Sequence, residues 1–295
     1  MRVVRSIPEL RILLKTFKEK GGRIGFVPTM GYLHEGHVSL LKHCRTRCDS
    51  IVVSVFVNPM QFGEEEDYAR YPQDMERDQA LCLNQGVTAL FIPDLKEIYP
   101  TGFSTFIDPG PMGDVLCGKY RPGHFRGVTT VVGKLMNIVQ PDLAFFGQKD
   151  LQQVAIIRRM VRDMNLPVEL VVTPTIREAD GLAMSSRNTY LSPEERKRAL
   201  CMSRALFASE SAYHNGERSA NKLINAAKQL LTDLDELQYC ELVDALTMDP
   251  IAGNVERLAG LCVAGRIGKT RLIDNVLLSE SSDPTNMLSL VGLPE

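Results

Sequence analysis

Two histidines, His34 and His37, lie between an apolar run and an amphipathic run of the sequence. The apolar residues 24–27 predict a short buried strand, and the apolar positions within 38–48 recur at helical spacing. The histidines therefore fall at the N-terminus of a helix, where unpaired N–H groups and the helix dipole attract anions. Side chains three residues apart on a helix can face one ligand. The pattern predicts a phosphate site, although a His-x-x-His pair alone is more often two unrelated residues.

A second polar group, from Asn58 to Gly63, follows the β-branched run 51–57, which predicts another buried strand. Ligands of open α/β sheets bind beyond the carboxyl ends of the strands, so we expect Gln61 to share a crevice with the histidines. Its amide offers donors and an acceptor, which suits a substrate with hydroxyl and carboxylate groups. Taken alone, the segment slightly favours a turn with Gln61 in solvent.

A third group follows the predicted strand 142–146, where Lys149 opens a helix that runs to about residue 163. A lysine at the carboxyl end of a buried strand can meet a triphosphate, and Asp150 and Gln153 lie within one helical turn of it. Position alone gives equal weight to a surface lysine.

Residues 177–188 are too small and polar for a core element. They contain Met184-Ser185-Ser186-Arg187, whose hydroxyls and planar guanidinium suit phosphate oxygens. The basic, glycine-rich stretch 118–127 could hold phosphates or close over a site, but by itself it is typical of a solvated loop.

The elements that carry these groups fall into two parts. Over residues 1–176, helical patterns alternate with buried strands, starting with a helix that Ser6 caps, and this order predicts a doubly wound, Rossmann-like parallel sheet. The strands are expected at 24–27, 51–57, 87–92, 142–146 and 168–172. Over residues 177–295, two helical patterns precede three strand-like runs, which predicts a smaller α+β domain. We expect the tail from Ser279 to Glu295 to be loose.

The composition excludes several classes of protein. The 295 residues are 44% hydrophobic, with a formal net charge of -2 and no long basic run, so nucleic acid is not expected as a partner. No stretch approaches the length of a membrane span, and the first residues lack the core of a signal peptide. Seven scattered cysteines indicate reduced thiols. We expect a cytoplasmic protein with small-molecule ligands and no membrane partner.

Two further motifs do not meet the requirements of the sites they resemble. The stretch 265–270 looks like a P-loop, but only two residues separate its glycines where four are needed, so we expect a strand boundary. His34, His37, His43, Cys44 and Cys48 could be imagined as a zinc site. The two cysteines, however, lie on the apolar helix face, and no second Cys/His pair completes the set.

The ten residues 28–37 resemble the His-x-Gly-His signature of the nucleotidyltransferase superfamily, with Gly31 and Gly36 allowing close backbone approach. They resemble the pantothenate synthetase family more specifically, and further blocks of that family follow in order. These blocks are residues 55–63, 121–127, 145–153, 177–188 and 270–275. The resemblance covers nearly the whole chain from Ser6 to about Asn275.

The resemblance implies an activity and its reactants. Members of the family join D-pantoate to β-alanine with ATP through a pantoyl-adenylate, and they release AMP and pyrophosphate. It also implies Mg²⁺, since a triphosphate normally arrives with that ion, and a homodimer.

The resemblance also assigns roles to individual residues by position. The catalytic set is His34, His37, Lys149, Ser185, Ser186 and Arg187. The pantoate-binding set is Met30, Gln61, Phe62 and Gln153. The nucleotide site combines the catalytic residues with Met30, Gly31, Gly147, Gln148, Asp150 and Met184. Asp78 resembles the family's acidic residue near the magnesium.

Two alternatives stay open at the level of sequence. The chain could be another nucleotidyltransferase that adenylates a different small carboxylic acid, or a regulator that binds ATP without turnover. The intact His34, His37, Lys149 and Arg187 argue against a decayed site.

Overall fold

A computed structural model describes residues 1–64 and 66–289. The first part of the chain is an α/β body around one sheet. Its strands are β1 (Arg2–Val4), β2 (Ile24–Thr29), β3 (Ser50–Val55), β4 (Ala89–Phe91), β5 (Leu143–Gly147) and β6 (Glu169–Thr173). Its helices are α1 (Ile7–Lys18), α2 (Glu35–Arg45), α3 (Met75–Asn84), α4 (Leu95–Ile98), α5 (Cys117–Tyr120), α6 (His124–Val139) and α7 (Leu151–Asp163).

The six strands are parallel and lie in the order β1-β4-β3-β2-β5-β6. Successive side chains of a strand point to opposite faces. Ile24 and Phe26 of β2 therefore share a core with α1, α6 and α7, while Val27 packs with α2 and α3 on the other face. The winding direction changes at β2, so the crevice expected for a ligand lies at its carboxyl end. This architecture confirms the predicted doubly wound sheet.

The first element is a strand, whereas the sequence predicted a helix. β1 pairs with β4 over Arg2 to Val4, and Val4 is buried. Three residues are too few to show a strand period, so α1 is the first element that a pattern reveals. Ser6 caps α1 as predicted, by accepting the N–H of Glu9.

The second part of the chain packs two helices on an antiparallel sheet. The helices are α8 (Pro193–His214) and α9 (Ala220–Lys228), and the strands are β7 (Glu236–Asp244), β8 (Ala259–Ile267) and β9 (Thr270–Leu278), in the order β7-β8-β9. On β8, Leu261 and Val263 pack with α8 and α9, while Cys262 and Ala264 join the core of the parallel-sheet body. The stretch 265–270 is the predicted strand boundary, between β8 and β9. The division at residues 176 and 177 stays a prediction.

The tail packs on the parallel-sheet body up to residue 289, whereas the sequence predicted a loose segment. Thr285 and Leu288 are buried, and Ser289 Oγ accepts the N–H of Val172 in β6 (3.0 Å). Composition suggested disorder because it does not show the surface that receives these side chains. The rest of the predicted loose segment, residues 290–295, lies outside the described residues. None of the described helices combines the length and apolarity that a membrane span requires.

Candidate active site

A cavity of 1430 Å³ opens at the carboxyl edge of the parallel sheet. The turn after β2, the segment after β3 and the junction of β5 with α7 line one side. The loop between β6 and α8 and residues of β9 line the other. Both parts of the chain therefore contribute to one site.

The rings of the two histidines accept backbone N–H groups at the start of helix α2. His34 Nδ1 accepts the N–H of Gly36 (3.1 Å), and His37 Nδ1 accepts the N–H of His34 (3.2 Å). A ring nitrogen that accepts from an amide carries no proton, so each neutral ring holds its proton on Nε2. Both side chains line the cavity. Their Nε2–H groups are the donors that remain for a ligand.

Both histidines are neutral near pH 7. Burial lowers the pKa of His34 to about 4, and the charges of Lys149 and Arg77 act in the same direction. Burial also lowers the pKa of His37 to about 3, with His34 and Lys149 adding to the effect and Asp150 opposing it. The cavity therefore presents two neutral imidazole donors close to the cationic Lys149.

Asp78 lies beneath the histidine turn, outside the cavity wall. Its two carboxylate oxygens accept the N–H groups of Tyr32 and Leu33 (2.7 Å each), and it is only 1% exposed. Gly31 has a φ of +86°, and a Cβ there would meet Val55 and Asp78 at 2.8 and 3.1 Å. These two residues shape the turn. The geometry gives no support to Asp78 at a magnesium ion, because the carboxylate is buried and does not line the cavity.

Gln61 is held in the wall by its neighbour Asn58. The Nδ2 of Asn58 donates to Gln61 Oε1 (3.1 Å) and to the carbonyl of Gly127 (3.1 Å). These bonds leave Gln61 Nε2 facing the Sδ atom of Met30 (3.2 Å). The amide is thus oriented before any ligand arrives.

The basic stretch 118–127, which runs from α5 into the first turn of α6, forms part of the wall, where a solvated loop was the simpler expectation. His124 Nδ1 donates to the carbonyl of Gln61 (2.8 Å), and Arg121 Nη2 donates to the same oxygen (3.1 Å). The free Nε2 of His124 then accepts from Arg121 Nη1 (3.1 Å). Burial and the charge of Arg121 lower the pKa of His124 well below its usual value. A neutral histidine and a guanidinium, which also pairs with Glu66, therefore fix the backbone of Gln61.

Lys149 lies in the 3₁₀ turn Gln148–Asp150, which joins β5 to α7. It lines the same cavity as the two histidines, and its charge contributes to the lowered pKa of both. Asp150 and Gln153 line the cavity beside it. The side chains predicted to bind phosphate therefore come from two strand-to-helix junctions.

Arg187 reaches the cavity from the loop between β6 and α8 and binds Asp67 with two hydrogen bonds. Its Nε donates to Oδ2 (2.9 Å) and its Nη2 to Oδ1 (2.8 Å). Burial would raise the pKa of Asp67, but the hydrogen bonds and charge of Arg187 outweigh it and lower the pKa. Ser185 caps the turn by accepting the N–H of Arg187 (3.3 Å), and Ser186 donates to the carbonyl of Tyr32 (3.3 Å). The loop is thereby tied to the histidine turn.

Within residues 1–64 and 66–289, no group of three or more His, Cys, Asp and Glu side chains could hold a metal ion. The sulfur atoms of Cys44 and Cys48 instead lie over Gly25 of β2, where a Cβ would collide with both.

The fold and the cavity agree with a family comparison over nearly the whole chain. The family model described as Pantoate-beta-alanine ligase matches residues 2–277. The chain belongs to the pantoate–β-alanine ligase family.

Individual relatives of this ligase family agree in length and fold. Pantothenate synthetase 1 of Bradyrhizobium diazoefficiens is 56% identical over 281 residues, which cover 95% of this chain and 99% of that protein. The crystal structure of pantothenate synthetase from Thermus thermophilus is 47% identical, with a TM-score of 0.88 and coverage of 94% and 99%. The pantoate–β-alanine ligase of Francisella tularensis, crystallised with beta-gamma ATP and β-alanine, is 34% identical, with a TM-score of 0.79 and coverage of 94% and 97%. These similarities confirm the predicted family and fold.

In this member of the ligase family, one cavity brings together most of the predicted site residues. They are Met30, His34, His37, Gln61, Gly147, Lys149, Asp150, Gln153, Met184, Ser185, Ser186 and Arg187. The predicted residues outside the wall are Gly31, Phe62, Asp78 and Gln148. Phe62 packs against the rings of Tyr68 and Tyr71, and Gln148 is buried behind Lys149. A motif position does not show on which side of a turn its side chain lies.

Sequence reasoning missed the groups that orient the predicted residues: Asn58, Asp67, Arg121 and His124. The Asn-Pro turn and the basic stretch were visible as patterns. Asn58 lies only three residues from Gln61. Its second partner, Gly127, and the partners of the other three residues lie 55 to 120 residues away in sequence, and no local pattern encodes such pairings.

Proposed function

We propose that this chain joins D-pantoate to β-alanine with ATP through a pantoyl-adenylate, releasing pyrophosphate and AMP. The observation that carries the proposal is that His34, His37 and Lys149 line the same cavity as Gln61 and Gln153. The histidines and the lysine suit a triphosphate, and the two glutamine amides suit a hydroxy acid. Membership of the ligase family supports the same reaction.

In the first step, a carboxylate oxygen of pantoate attacks the α-phosphorus of ATP, and the bond from that phosphorus to the leaving pyrophosphate oxygen breaks. Negative charge grows on the α-phosphate oxygens and on the leaving group. The Nε2–H groups of His34 and His37 and the ammonium of Lys149 stabilise it as preorganised donors. Ser185 and Arg187 bind the pyrophosphate, while Ser186 holds their loop against Tyr32. No covalent enzyme intermediate forms.

In the second step, the amine of β-alanine attacks the acyl carbon, and AMP leaves. Neither His34 nor His37 acts as the base that accepts the amine proton, because Nδ1 of each ring accepts an amide and Nε2 carries a proton. Their role is therefore confined to stabilising charge on the phosphate.

Pantoate lies beside Gln61, Gln153 and Met30 in this proposal. The fixed amide of Gln61 donates to the substrate, and the thioether of Met30 contacts its apolar carbons. Phe62 supports this wall from behind through the tyrosine rings. Gln61→Ala should raise the KM for pantoate about tenfold or more, since a site built for hydrogen bonding loses its partner, while the KM for ATP stays unchanged. An effect confined to ATP would contradict the assignment.

Magnesium fits as a companion of the triphosphate. The cavity lacks a cage of three protein ligands within the described residues, but Mg²⁺ usually keeps waters and binds phosphate oxygens with one or two carboxylates. Asp150, in the wall next to Lys149, is the carboxylate we assign to it in place of Asp78. The ion would neutralise part of the phosphate charge.

A homodimer and a cytoplasmic location complete the proposal. The homodimer rests on the family resemblance and is tested by sedimentation equilibrium of the purified chain. The location rests on seven cysteines that all carry free thiols, as in a reducing compartment.

The deciding experiment is pantoate-dependent exchange of labelled pyrophosphate into ATP, with magnesium and without β-alanine. We expect exchange, because adenylation is reversible without the amine. Exchange with another carboxylic acid but not with pantoate would favour a different adenylating enzyme. ATP binding without exchange for any acid would favour a regulator.

A further inference from the structure

The tail places a buried hydroxyl behind the turn that carries Lys149. Thr285 Oγ1 donates to Gln148 Oε1 (2.6 Å), and Gln148 Nε2 donates to Asn275 Oδ1 (3.3 Å). Asn275 Nδ2 then donates to the backbone carbonyls of Gln148 (3.1 Å) and Lys149 (2.8 Å). Thr285, Gln148 and Asn275 are only 6%, 8% and 3% exposed, and we name them the Thr285 relay.

The direction of every bond in the relay follows from its last step. Two carbonyl oxygens can only accept, so the NH₂ group of Asn275 must face them and its Oδ1 must face Gln148. The NH₂ group of Gln148 then faces Asn275, which leaves its Oε1 facing Thr285. The hydroxyl of Thr285 must therefore donate. A side chain without a donor at this position would leave a buried amide oxygen unpaired.

The relay ties the junction of β5 with α7 to β9 and to the tail. Neither the turn Gln148–Asp150 nor the start of α7 has a side-chain cap of its own. Helix starts are usually capped by Ser, Thr, Asp or Asn side chains within the same segment. Here Asn275 of β9 donates to the carbonyls of Gln148 and Lys149, and Thr285 of the tail donates to the side chain of Gln148.

Both ends of the relay are anchored. Asn275 lies in β9, next to Asp274, which makes two bonds to Arg177 (2.6 and 3.1 Å). Thr285 precedes Leu288, which is 1% exposed in the main core. The family match ends at residue 277, so Thr285 lies beyond it.

We propose that Thr285 is a positioning residue for Lys149, acting through Gln148 and Asn275. Its hydroxyl fixes the side-chain amide of Gln148, and that amide fixes the side-chain amide of Asn275. Asn275 in turn holds the backbone carbonyls of Gln148 and Lys149 in the turn Gln148–Asp150. Without the hydroxyl, the turn shifts, and the ammonium of Lys149 moves relative to the triphosphate. The inference rests on the adenylation role proposed for Lys149.

The test compares Thr285→Val with Thr285→Ser in pantoate-dependent pyrophosphate exchange. Valine keeps the shape and removes the donor, so we expect exchange to fall about tenfold at saturating substrates, because small displacements of a catalytic group cost rate steeply. Serine restores the donor and should stay within about twofold of the parent chain. The KM for pantoate should not change, since Gln61 and Gln153, whose amides bind pantoate, lie outside the relay. Ser281→Ala, which removes an exposed hydroxyl of the same tail, is the control.

A double-mutant cycle separates an effect on the position of Lys149 from a general loss of structure in the protein. If Thr285 acts through Lys149, Thr285→Val causes no further loss in a Lys149→Ala background, assayed with more enzyme. Additive losses, or parental exchange by folded Thr285→Val, overturn the inference. If Lys149→Ala leaves exchange unchanged, the role of Lys149 itself fails, and the relay loses its catalytic meaning. Should Thr285→Val not fold, Gln148→Met removes the middle of the relay and is read by the same cycle.

Discussion

The two histidines show how the backbone sets the chemistry of a side chain. Each uses Nδ1 to accept an amide at the start of α2, so each presents Nε2–H to the cavity. Burial above all, and the charge of Lys149 in addition, disfavour a charged ring. Donors fixed in this way stabilise developing charge without reorganising during the reaction.

At the same scale, we predict that His34→Ala or His37→Ala lowers the pyrophosphate exchange rate by roughly 10²–10³, the usual cost of losing one preorganised donor. The matched control is His43→Ala, which removes an exposed histidine from the same helix. A normal rate in a folded His37→Ala variant would refute the donor role.

The lowered pKa values also predict a pH dependence of stability. The folded chain holds His34 and His37 neutral down to pKa values of about 4 and about 3, whereas the unfolded chain protonates them near 6.5. Their contribution to the free energy of unfolding is thus complete above about pH 6.5 and is lost as the pH falls towards 4 and 3. Urea titrations over that range should show the decline. His37→Asn should flatten it, and an equally steep decline in that variant would exclude His37 as a cause.

At the scale of elements, the loop 184–188 and the segment after β3 hold each other through Arg187 and Asp67. Both groups are more than two-thirds buried, so the pair is well shielded from solvent. A triphosphate must replace Asp67 as the partner of Arg187. The contact therefore keeps the loop ordered in the free enzyme and competes with the nucleotide.

This competition predicts that Asp67→Asn tightens ATP binding about tenfold, equivalent to about 1.4 kcal/mol, because the guanidinium no longer has to leave a carboxylate. Isothermal titration of ATP measures the change. Asp163→Asn, which breaks an exposed ion pair on α7 away from the cavity, is the control and should leave the affinity unchanged. Weaker ATP binding by Asp67→Asn would mean that the carboxylate itself takes part in nucleotide binding.

At the scale of the whole molecule, the antiparallel sheet is buried on both faces and joins the second part of the chain to the first. Strand β9 contributes Asp274 and Asn275, which bind the loop after β6 and the junction after β5. The site therefore depends on how the two parts pack together.

We predict that Asp274→Asn lowers the free energy of unfolding by ~3–5 kcal/mol, because it leaves the guanidinium of Arg177 largely buried without its charge partner. Asp163→Asn breaks an exposed ion pair on α7 and should cost only ~0.3–0.5 kcal/mol. Equal losses in urea titrations would show that the buried Arg177 pair contributes no more to stability than an exposed pair.

Local sequence patterns predicted the helices and strands, because interactions between residues close in sequence largely control where those elements form. Apolar periodicity and capping residues located α1, α2 and the buried strands, and the order of those elements required a doubly wound sheet. The motif positions found twelve residues that do line the cavity. They also named Asp78 and Gln148, whose side chains turn to the backbone of Tyr32 and to Asn275.

By itself, the sequence determined the fold class and the strand-to-helix turns that could hold phosphate, because periodicity and turn chemistry act over a few residues. The family followed from the resemblance of its motif blocks to those of known members. Only the tertiary structure decided which distant residues orient the side chains of the site. Asp67 binds Arg187 across 120 positions, and Thr285 reaches Gln148 across 137. Such bonds form only after the sheets pack, since burial is what makes an unpaired polar group costly and a distant partner necessary.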